Sequence, residues 1–433
     1  MIHKALRNII YLLPANVGLT ILTVWRFRRF FRFWLRRVIF KLFAPKSALR
    51  YLSDNTVYWV DPEKIVFAMY GDGFPPTTRN GHSEFKAPEY KGRIVGGDWD
   101  KLERRFDELE FYNSYKERAR NGTAWEKLPY YKGMLELIDN GIYKWDVKSK
   151  KDLDERCRKL DGIFHDIKQN GYKTYAQLVK ERDKESMFGD SGDISVNVGR
   201  DGDLIFNGGR HRLTFAKIAG IKRVPVVIRV RHSQWEDFKK EIEAENSYTP
   251  LTHIDLQSIP ARHTDKRFII IRENMGDGNS TLLDIGANLG YFCHKFEEEG
   301  FQCTAAENEP LDLYFLQKLK RAESRQFEII PESILTLYKK QPMKYDIVLA
   351  LAVFHHFLKE KADFEELKHL LHSLDMNEMF FEPHNYDEAQ MKDSFVNFYP
   401  GEFVNFILEN SCLSKSRLIG TSEEDRPIYK LWK

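Results

Sequence analysis

The amino-acid sequence predicts an α/β protein with a doubly wound sheet in its C-terminal part, residues 276–433. The first observation is the segment at residues 281–309, which alternates an apolar run, a Gly-bearing turn, a helical stretch and a second apolar run. The second is that an acid closes each apolar run, Asp284 in the first and Glu307 in the second. Strand, turn, helix and strand in this order, with these acids, are typical of a nucleoside-binding βαβ unit.

The turn between the two acids carries its glycines at the spacing Gly-x-x-x-Gly, at Gly286 and Gly290. A dinucleotide-binding turn has the different spacing Gly-x-Gly-x-x-Gly, which brings a pyrophosphate close to the helix. The observed spacing therefore disfavours a nicotinamide dinucleotide. The Gly-x-x-x-Gly pattern is common by itself, and it becomes specific here because Asp284 precedes it and Glu307 follows it.

These residues resemble motif I and the following acidic position of class I S-adenosylmethionine-dependent methyltransferases. The resemblance covers residues 263–433 and implies a Rossmann-like fold with S-adenosylmethionine as cofactor. It implies that Asp284 accepts hydrogen bonds from the cofactor's ammonium group, that exposed amides of the turn meet its carboxylate, and that Glu307 accepts both ribose hydroxyls. The cofactor-binding residues expected on this basis are Asp284, Gly286, Ala287, Asn288, Gly290, Glu307, Glu332, Ser333 and Ala350.

The order of the later segments agrees with the same family. Residues 327–330 are predicted as the third strand, 345–351 as the fourth and 379–382 as the fifth. The fourth strand opens a segment similar to the D-x-V-x-x-x-x-V-x-H-H segment that closes the cofactor site in many small-molecule methyltransferases. Residues 417–419 and 427–432 suit the terminal antiparallel hairpin of that fold.

Methyl transfer to an oxygen acceptor requires proton removal, and histidine titrates near neutral pH. We therefore expect His355 or His356, after the fourth strand, to be the general base, with Glu382 and His384 on the neighbouring strand as partners. The predicted catalytic residues are His355, His356 and Glu382. The alternative is that one histidine caps the following helix and the other packs against the sheet. The sequence has no Asn-Pro-Pro-Tyr-type motif, so an amine of DNA adenine is not the expected acceptor.

A second motif lies in residues 188–245, predicted as a small α+β unit in which strands surround a short helix. Two glycines open this helix and flanking arginines add positive charge, so the corner suits a phosphate or a carboxylate. The run Gly-Arg-His-Arg looks like the Gly-x-(His/Arg)-Arg box of the ParB/sulfiredoxin-like superfamily, which implies contact with nucleotide phosphates. The alternative is that the arginines only pair with acids of this chain. The expected anion-binding residues are Gly208, Gly209, Arg210, His211 and Arg212.

Residues 51–187 are predicted to be mostly helical, and residues 246–275 to be a linker with a leading helix at 263–275. The clearest helix of the first region begins after Ser149, a capping residue, and ends near Gly171. Its apolar stripe is expected in the core. Three tryptophans are also expected in the core, or else in a groove for a sugar or a lipid: Trp99, Trp125 and Trp145.

Residues 1–50 differ from the rest of the chain in charge. They contain eleven Lys and Arg residues and no Asp or Glu, which leaves 56 basic against 64 acidic residues beyond them. Residues 9–25 are uncharged and mostly apolar, which is borderline for a spanning helix of about 20 residues, and an arginine- and aromatic-rich stretch follows. We expect residues 9–41 to contact an anionic membrane surface. A packed basic helix and a nucleic-acid-binding arm are the alternatives.

The four cysteines are scattered and include no CxxC pair, which disfavours a metal site or a disulfide framework and suits a reducing cytosol. The sequence thus predicts a cytoplasmic, membrane-associated S-adenosylmethionine-dependent methyltransferase that O-methylates a small, glycan or lipid-linked acceptor. Two alternatives stay open. One is a nucleotide- or phosphate-binding ParB-like protein with a degenerate methyltransferase domain. The other is a nucleic-acid modifier, which the acidic body of the chain makes less expected.

Overall fold

The computed structural model describes residues 56–69, 92–102, 104–181, 193–276 and 278–433. The chain divides into two compact units, an N-terminal unit within Ser47–Lys240 and a C-terminal unit that comprises Glu241–Lys433. The predicted membrane-contacting segment, residues 9–41, lies outside the described residues. Within the described ranges, every helix is too short or too polar to cross a bilayer.

The N-terminal unit contains a six-stranded mixed sheet. Its strands are β1 (Tyr58–Val60), β2 (Ile65–Ala68), β3 (Arg93–Val95), β4 (Ile194–Val198), β5 (Leu204–Gly208) and β6 (Val224–His232). Their order in the sheet is β1-β6-β4-β5-β2, with β3 paired to β6. Parallel pairing joins β4 to β6, β2 to β5 and β3 to β6, whereas β1 with β6 and β4 with β5 are antiparallel.

Helices cover this unit around an aromatic core that includes Phe111, Tyr115 and Phe215. The expected helix after Ser149 is confirmed, because the Ser149 hydroxyl accepts a hydrogen bond from the Asp152 amide at 3.2 Å and Gly171 ends the helix. Its predicted apolar stripe packs into the same core. The helices are α1 (Glu110–Asn121), α2 (Pro129–Asp139), α3 (Lys150–Asn170), α4 (Tyr175–Glu181), α5 (Arg210–Ala219) and α6 (Ser233–Ala244).

Two details of this unit differ from the sequence-based expectation. Residues 58–95 contribute three short strands to the sheet that residues 194–232 complete, so the boundary expected at 187/188 does not separate two compact units. Long-range strand pairing of this kind leaves no local sequence signal. Trp99 and Trp125 are buried as expected, but the expectation that Trp145 lies in the core was wrong, because this residue is 47% exposed.

The C-terminal unit contains a seven-stranded sheet. Its strands are β7 (Thr281–Ile285), β8 (Gln302–Ala306), β9 (Glu328–Ile330), β10 (Met343–Leu351), β11 (Leu374–Glu382), β12 (Lys415–Thr421) and β13 (Pro427–Trp432). Their order in the sheet is β12-β13-β11-β10-β7-β8-β9. Strands β7 to β11 are mutually parallel where they pair, and β13 runs antiparallel to both β11 and β12. This confirms the predicted doubly wound α/β fold and its terminal hairpin.

Helices lie on both faces of this sheet, which gives it two apolar cores. One core includes Phe268, Phe292 and Phe296, and the other includes Phe364, Leu367 and Phe403. The leading helix is shorter than the predicted 263–275, and the fifth strand is longer than 379–382. The helices are α7 (Lys266–Glu273), α8 (Tyr291–Glu298), α9 (Pro310–Ala322), α10 (Ile334–Leu337), α11 (Lys361–Ser373) and α12 (Pro400–Glu409).

Candidate active site at the carboxyl edge of the C-terminal sheet

The strand order of the C-terminal unit creates a crevice at one edge of the sheet. The chain runs from β7 outward to β8 and β9 and then returns to place β10 on the other side of β7. At such a switch point the connections leave in opposite directions, and a crevice opens outside the carboxyl ends of the strands. A cavity of about 1220 Å³ lies here, lined by residues that follow β7, β8, β9, β10 and β11. Small-molecule sites usually measure about 300–1,000 Å³, so this cavity is large enough for a ligand the size of a nucleoside cofactor.

Asp284 supplies a buried carboxylate to this cavity. It lies near the end of β7 and is 2% exposed, and its Oδ2 accepts no hydrogen bond from any residue that the structure describes. Burial and the nearby Glu307 raise the pKa of Asp284 to about 7, and Arg267 opposes this rise. An acceptor atom without a partner at this depth costs free energy unless a ligand donates to it.

The turn after Asp284 is shaped by two glycines with positive φ. Gly286 has a φ of 72°, and a Cβ there would lie 2.9 Å from Val353 Cγ2, in the connection after β10. Gly290 has a φ of 79°, and a Cβ there would overlap Leu316 Cδ1. Both positions therefore require glycine for conformation and for space.

Four amides of the turn already donate hydrogen bonds within the protein. The amides of Gly286 and Ala287 donate to the Ala306 carbonyl oxygen at 2.9 and 3.1 Å, and the Gly290 amide donates to the Ala287 carbonyl oxygen at 2.8 Å. The Asn288 amide donates to Glu307 Oε2 at 2.8 Å. Three of these amides hold the turn against β8 and Glu307, and the Gly290 amide closes the turn itself, so all four already have acceptors within the protein. The sequence pattern could not reveal these bonds because they depend on the neighbouring strand.

Glu307 follows β8 and lines the same cavity as Asp284. Its Oε1 accepts hydrogen bonds from the amides of Asn308 and Glu309 at 2.7 and 2.8 Å, in addition to the bond from Asn288 to Oε2. Burial raises the pKa of Glu307 to about 7, against the lowering effect of these three amides. The amides fix the carboxylate in one orientation, and each oxygen can still accept from a ligand hydroxyl.

Arg267 is a cavity residue that the sequence reasoning missed. It lies on α7, is 2% exposed, and donates from Nη1 to Glu382 Oε2 at 3.1 Å. Its guanidinium carbon also lies 5.1 Å from the centre of the Tyr248 ring, and its Nε has no hydrogen-bond partner within the described ranges. A fixed cation that lines the same cavity as Asp284 and acts on its charge suits a ligand that carries a carboxylate and an ammonium group together.

Glu382 ends β11 as predicted, but its surroundings differ from those of a general base. The carboxylate is 1% exposed and is held by Arg267, and the described lining of the cavity does not include it. Its placement therefore favours a role in positioning Arg267 over the predicted catalytic role.

The predicted histidines cluster in the 3-10 turn Phe354–Leu358 after β10. The rings of His355 and His356 lie 4.1 Å apart, and both residues line the cavity. Burial, and then the neighbouring His356 and His384, lower the pKa of His355 to about 2. Partial desolvation, Lys359 and Arg426 lower the pKa of His356 to about 4. Both imidazoles are therefore neutral at physiological pH. His384 is fully buried and shares a hydrogen bond of 2.7 Å with Asn397 Oδ1.

The remaining predicted cofactor residues are divided between the cavity and the core. Glu332 and Ser333 line the cavity after β9, where Glu332 pairs with Lys340. Ala350 is fully buried in the core on one face of the sheet, and the described cavity lining begins one residue later, at Leu351. Successive residues of a strand point to opposite faces, so a shift of one residue removes Ala350 from the predicted site.

The predicted anion-binding residues belong to the N-terminal unit. Gly208 closes β5 and Gly209, with a φ of 87°, is the N-cap of α5. The other three form the first turn of α5 as expected, with Arg212 buried and its two neighbours half-buried. The sequence therefore predicted the local strand-to-helix corner correctly, whereas the binding of an anion stays a prediction.

Several solved structures are similar to part of this chain. Monomeric WbdD, a bifunctional kinase-methyltransferase, is 21% identical over 43% of this chain and 46% of its own, with a TM-score of 0.37. The N-methyltransferase NodS from Bradyrhizobium japonicum WM9 is 14% identical over 39% of this chain and 94% of its own, with a TM-score of 0.32. A SAM-dependent methyltransferase from Archaeoglobus fulgidus is 16% identical over 38% of this chain and 92% of its own, with a TM-score of 0.29.

WbdD is described as a bifunctional kinase-methyltransferase, and the other two proteins are described as methyltransferases. The matched part of this chain spans less than half the length of WbdD. No family model matches the sequence, and no curated protein matches it.

Proposed function

We propose that the C-terminal unit is an S-adenosylmethionine-dependent methyltransferase. One observation carries the proposal: Asp284 and Glu307 close adjacent parallel strands and line a single cavity at the switch point of the sheet. Two carboxylates in this arrangement match the two ends of an amino-acid nucleoside, one for its ammonium group and the other for its ribose hydroxyls.

The residues of the cavity fit this cofactor. The buried Oδ2 of Asp284 lacks a hydrogen-bond donor among the described residues and can accept from an ammonium group. Arg267 lines the same cavity and its charge acts on Asp284, so it is a suitable partner for the adjoining carboxylate, the role that the resemblance assigns to the turn's amides. Glu307 would accept from the ribose, and Glu332 and Ser333 would border the adenine.

The chain's own contribution to the reaction would be mainly positional. When bound, S-adenosylmethionine supplies an electrophilic methyl group on a positively charged sulfonium. The cavity walls would hold an acceptor in line with that group and exclude water from it. His356 is exposed to the cavity and neutral at physiological pH, so its imidazole can accept the proton of an acceptor hydroxyl. We assign it the base role in preference to His355, because burial makes His355 the weaker base.

A polar acceptor fits the part of the cavity that Arg426 lines. Arg426 is buried there and bonds Glu388 through two nitrogens at 2.7 and 2.8 Å, next to Asn385. Tyr386 and Tyr399 stack at 4.0 Å on the adjoining loop and remain partly exposed. Charged groups beside exposed aromatic rings suit a hydroxyl-rich molecule with apolar faces, such as a glycan, free or lipid-linked.

Titration calorimetry of the full chain with S-adenosylmethionine and S-adenosylhomocysteine tests the cofactor assignment directly. We expect both compounds to bind, and S-adenosylmethionine to lose affinity when Asp284 is replaced. If neither compound binds a folded sample, the proposal is wrong. If the protein binds a nucleotide but neither of these two compounds, the result would instead support the alternative of a ParB-like nucleotide binder with a degenerate methyltransferase domain.

The assignment of His356 predicts a catalytic defect without a binding defect. Transfer of labelled methyl groups into soluble oligosaccharides and polyprenyl-linked oligosaccharides would identify the acceptor class. In that assay His356→Gln should reduce the rate about 10²–10⁴-fold, the usual contribution of a general base, and leave S-adenosylhomocysteine binding unchanged. His372→Gln, an exposed histidine on α11, serves as the matched control. An unaltered rate in His356→Gln would eliminate this base.

We also propose that residues 9–41 hold the protein at an anionic membrane surface on the cytoplasmic side. The support is the excess of arginine and aromatic residues in this segment. The full chain should sediment with liposomes that contain anionic lipid and not with neutral ones, and 1 M salt should release it because the Debye length is then about 3 Å. Replacement of Arg28, Arg32 and Arg36 by Gln should weaken sedimentation. Retention on RNA without liposome binding would favour the nucleic-acid alternative.

A further inference from the structure

A strained turn in the N-terminal unit holds an exposed tryptophan. The Val147 amide donates to the Lys144 carbonyl oxygen at 3.0 Å, and both central residues have positive φ, 54° at Trp145 and 59° at Asp146. This is the geometry of a type I′ turn, which strongly prefers Asn-Gly at these positions. A bulky residue in this conformation costs on the order of 1–3 kcal/mol. The fold nevertheless keeps a large ring here, 47% exposed.

Cationic side chains from two helices lie against this ring. The guanidinium carbon of Arg156, on α3, is 4.4 Å from the centre of the Trp145 ring, and that of Arg210, on α5, is 5.7 Å from it. The His211 ring is 6.1 Å from the same ring, and Lys144 directly precedes it in the chain. Positive groups from a turn and two helices thus converge on one aromatic side chain.

The electrostatic effect of these cations appears in the pKa values of neighbouring side chains. Burial, followed by Arg210, Arg156 and Arg212, lowers the pKa of His211 well below its usual value. Burial and Arg210 lower the pKa of Lys144. Within the described part of the chain, the charged groups that act most strongly on His211 and Lys144 are therefore positive, so the corner carries a positive potential that favours an anion.

The start of α5 adds to this potential without creating it. Gly209 is the N-cap and offers no side-chain acceptor to the first turn of the helix. Gly209 has a φ of 87°, and a Cβ there would lie 3.1 Å from the backbone atom Ile194 Cα, so this glycine is required for the sharp turn out of β5. The positive end of the helix dipole then lies beside Arg210.

We propose that this cluster, Lys144, Trp145, Arg156 and Arg210, binds the phosphate group of a small phosphate monoester whose ring packs on the exposed part of Trp145. Arginines provide planar, two-pronged donors for phosphate oxygens, and tryptophan offers an apolar face to a base or a sugar. Arg210 and Lys144 are half-buried and Trp145 is exposed, so a ligand can reach the cluster from solvent. The site lies within the N-terminal unit and does not depend on the proposed methyltransferase activity.

Calorimetry of the full chain with inorganic phosphate, AMP, glucose 1-phosphate and adenosine tests the proposal. The comparison distinguishes binding of free phosphate, of a nucleotide and of a sugar phosphate. We expect both phosphate monoesters to bind more tightly than phosphate, and adenosine not to bind. Arg156→Gln and Arg210→Gln should each weaken binding about tenfold or more, the effect of one lost charge-assisted hydrogen bond. Trp145→Ala should reduce the affinity of the monoesters to that of phosphate alone.

Arg158→Gln is the matched control, since Arg158 is exposed on the same helix as Arg156. Thermal unfolding verifies that each variant folds, and if Arg156→Gln does not, Lys144→Gln and Trp145→Ala at the surface of the cluster test the same site. Absence of binding to every phosphorylated compound, or binding that these variants leave unchanged, would overturn the proposal. S-adenosylhomocysteine binding should be the same in all of these variants, which distinguishes failure here from failure of the methyltransferase assignment.

Discussion

Replacing Asp284 by asparagine should weaken S-adenosylmethionine binding about a hundredfold, because the variant loses a buried charged acceptor and presents an amide donor to an ammonium group. The same variant should make the ligand-free protein more stable. The pKa of Asp284 rises from 3.8 in its ordinary state to about 7 in the fold. Above pH 7 the folded protein therefore holds an ionised carboxylate at a cost on the order of a few kcal/mol, and this cost disappears below pH 4.

The raised pKa of Asp284 also determines the direction in which the affinity for S-adenosylmethionine changes with pH. Ligand binding favours the ionised form of Asp284, so binding should release a proton and the affinity should rise between about pH 6 and pH 8 before it levels off. Calorimetry in buffers of different ionisation enthalpy measures the released protons. Asp284→Asn should show a smaller release and a flatter profile, and Asp346→Asn, at the opposite end of the sheet beside Thr281, is the matched control. A variant that binds as tightly as the wild type would contradict the proposed role of Asp284.

Replacing Arg267 by methionine should destabilise the C-terminal unit by about 3–5 kcal/mol, because it leaves Glu382 buried without its cation. For a unit of this size, this corresponds to a fall in Tm of roughly 10 °C. The variant should also lose affinity for S-adenosylmethionine, since Arg267 lines the cavity beside Asp284. Thermal unfolding followed by near-UV circular dichroism, and calorimetry on the folded protein, measure the two effects.

The double variant Arg267→Met with Glu382→Leu separates these two effects. Removing both members of a buried ion pair is often neutral or stabilising, so the double variant should recover most of the lost Tm. The affinity for S-adenosylmethionine should remain low, because no cation is restored. Recovery of both stability and binding in the double variant would show that Arg267 has a structural role alone.

Much of the C-terminal unit could be predicted from the sequence, because its signals are local. Apolar runs closed by Asp284 and Glu307, with glycines between them, define successive strands and a tight turn. Parallel strands placed in order bring both acids to one edge of the sheet. The sequence also predicted the helix after Ser149 and the strand-to-helix corner at Gly209, since caps and glycines act on their own neighbours.

The failures concern contacts between distant parts of the chain. Arg267 was overlooked because nothing near it marks α7 as a wall of the cavity. Glu382 was predicted as a catalytic residue because it ends a strand, and its ion pair with Arg267 could not be read from either segment. Ala350 was misplaced by one residue, which in a strand reverses the face that the side chain meets.

By itself, then, the sequence determined the doubly wound fold, the succession of its strands along the chain and the two acids that close neighbouring strands, because each depends on short-range pattern. The tertiary structure alone decided which polar groups are free to meet a ligand. The amides of Gly286, Ala287 and Asn288 donate to β8 and to Glu307, whereas Asp284 keeps an acceptor atom without a described donor. It also decided that Trp145 lies at the surface among arginines. Hydrogen bonding and burial are properties of the folded environment, and residue type and spacing do not specify them.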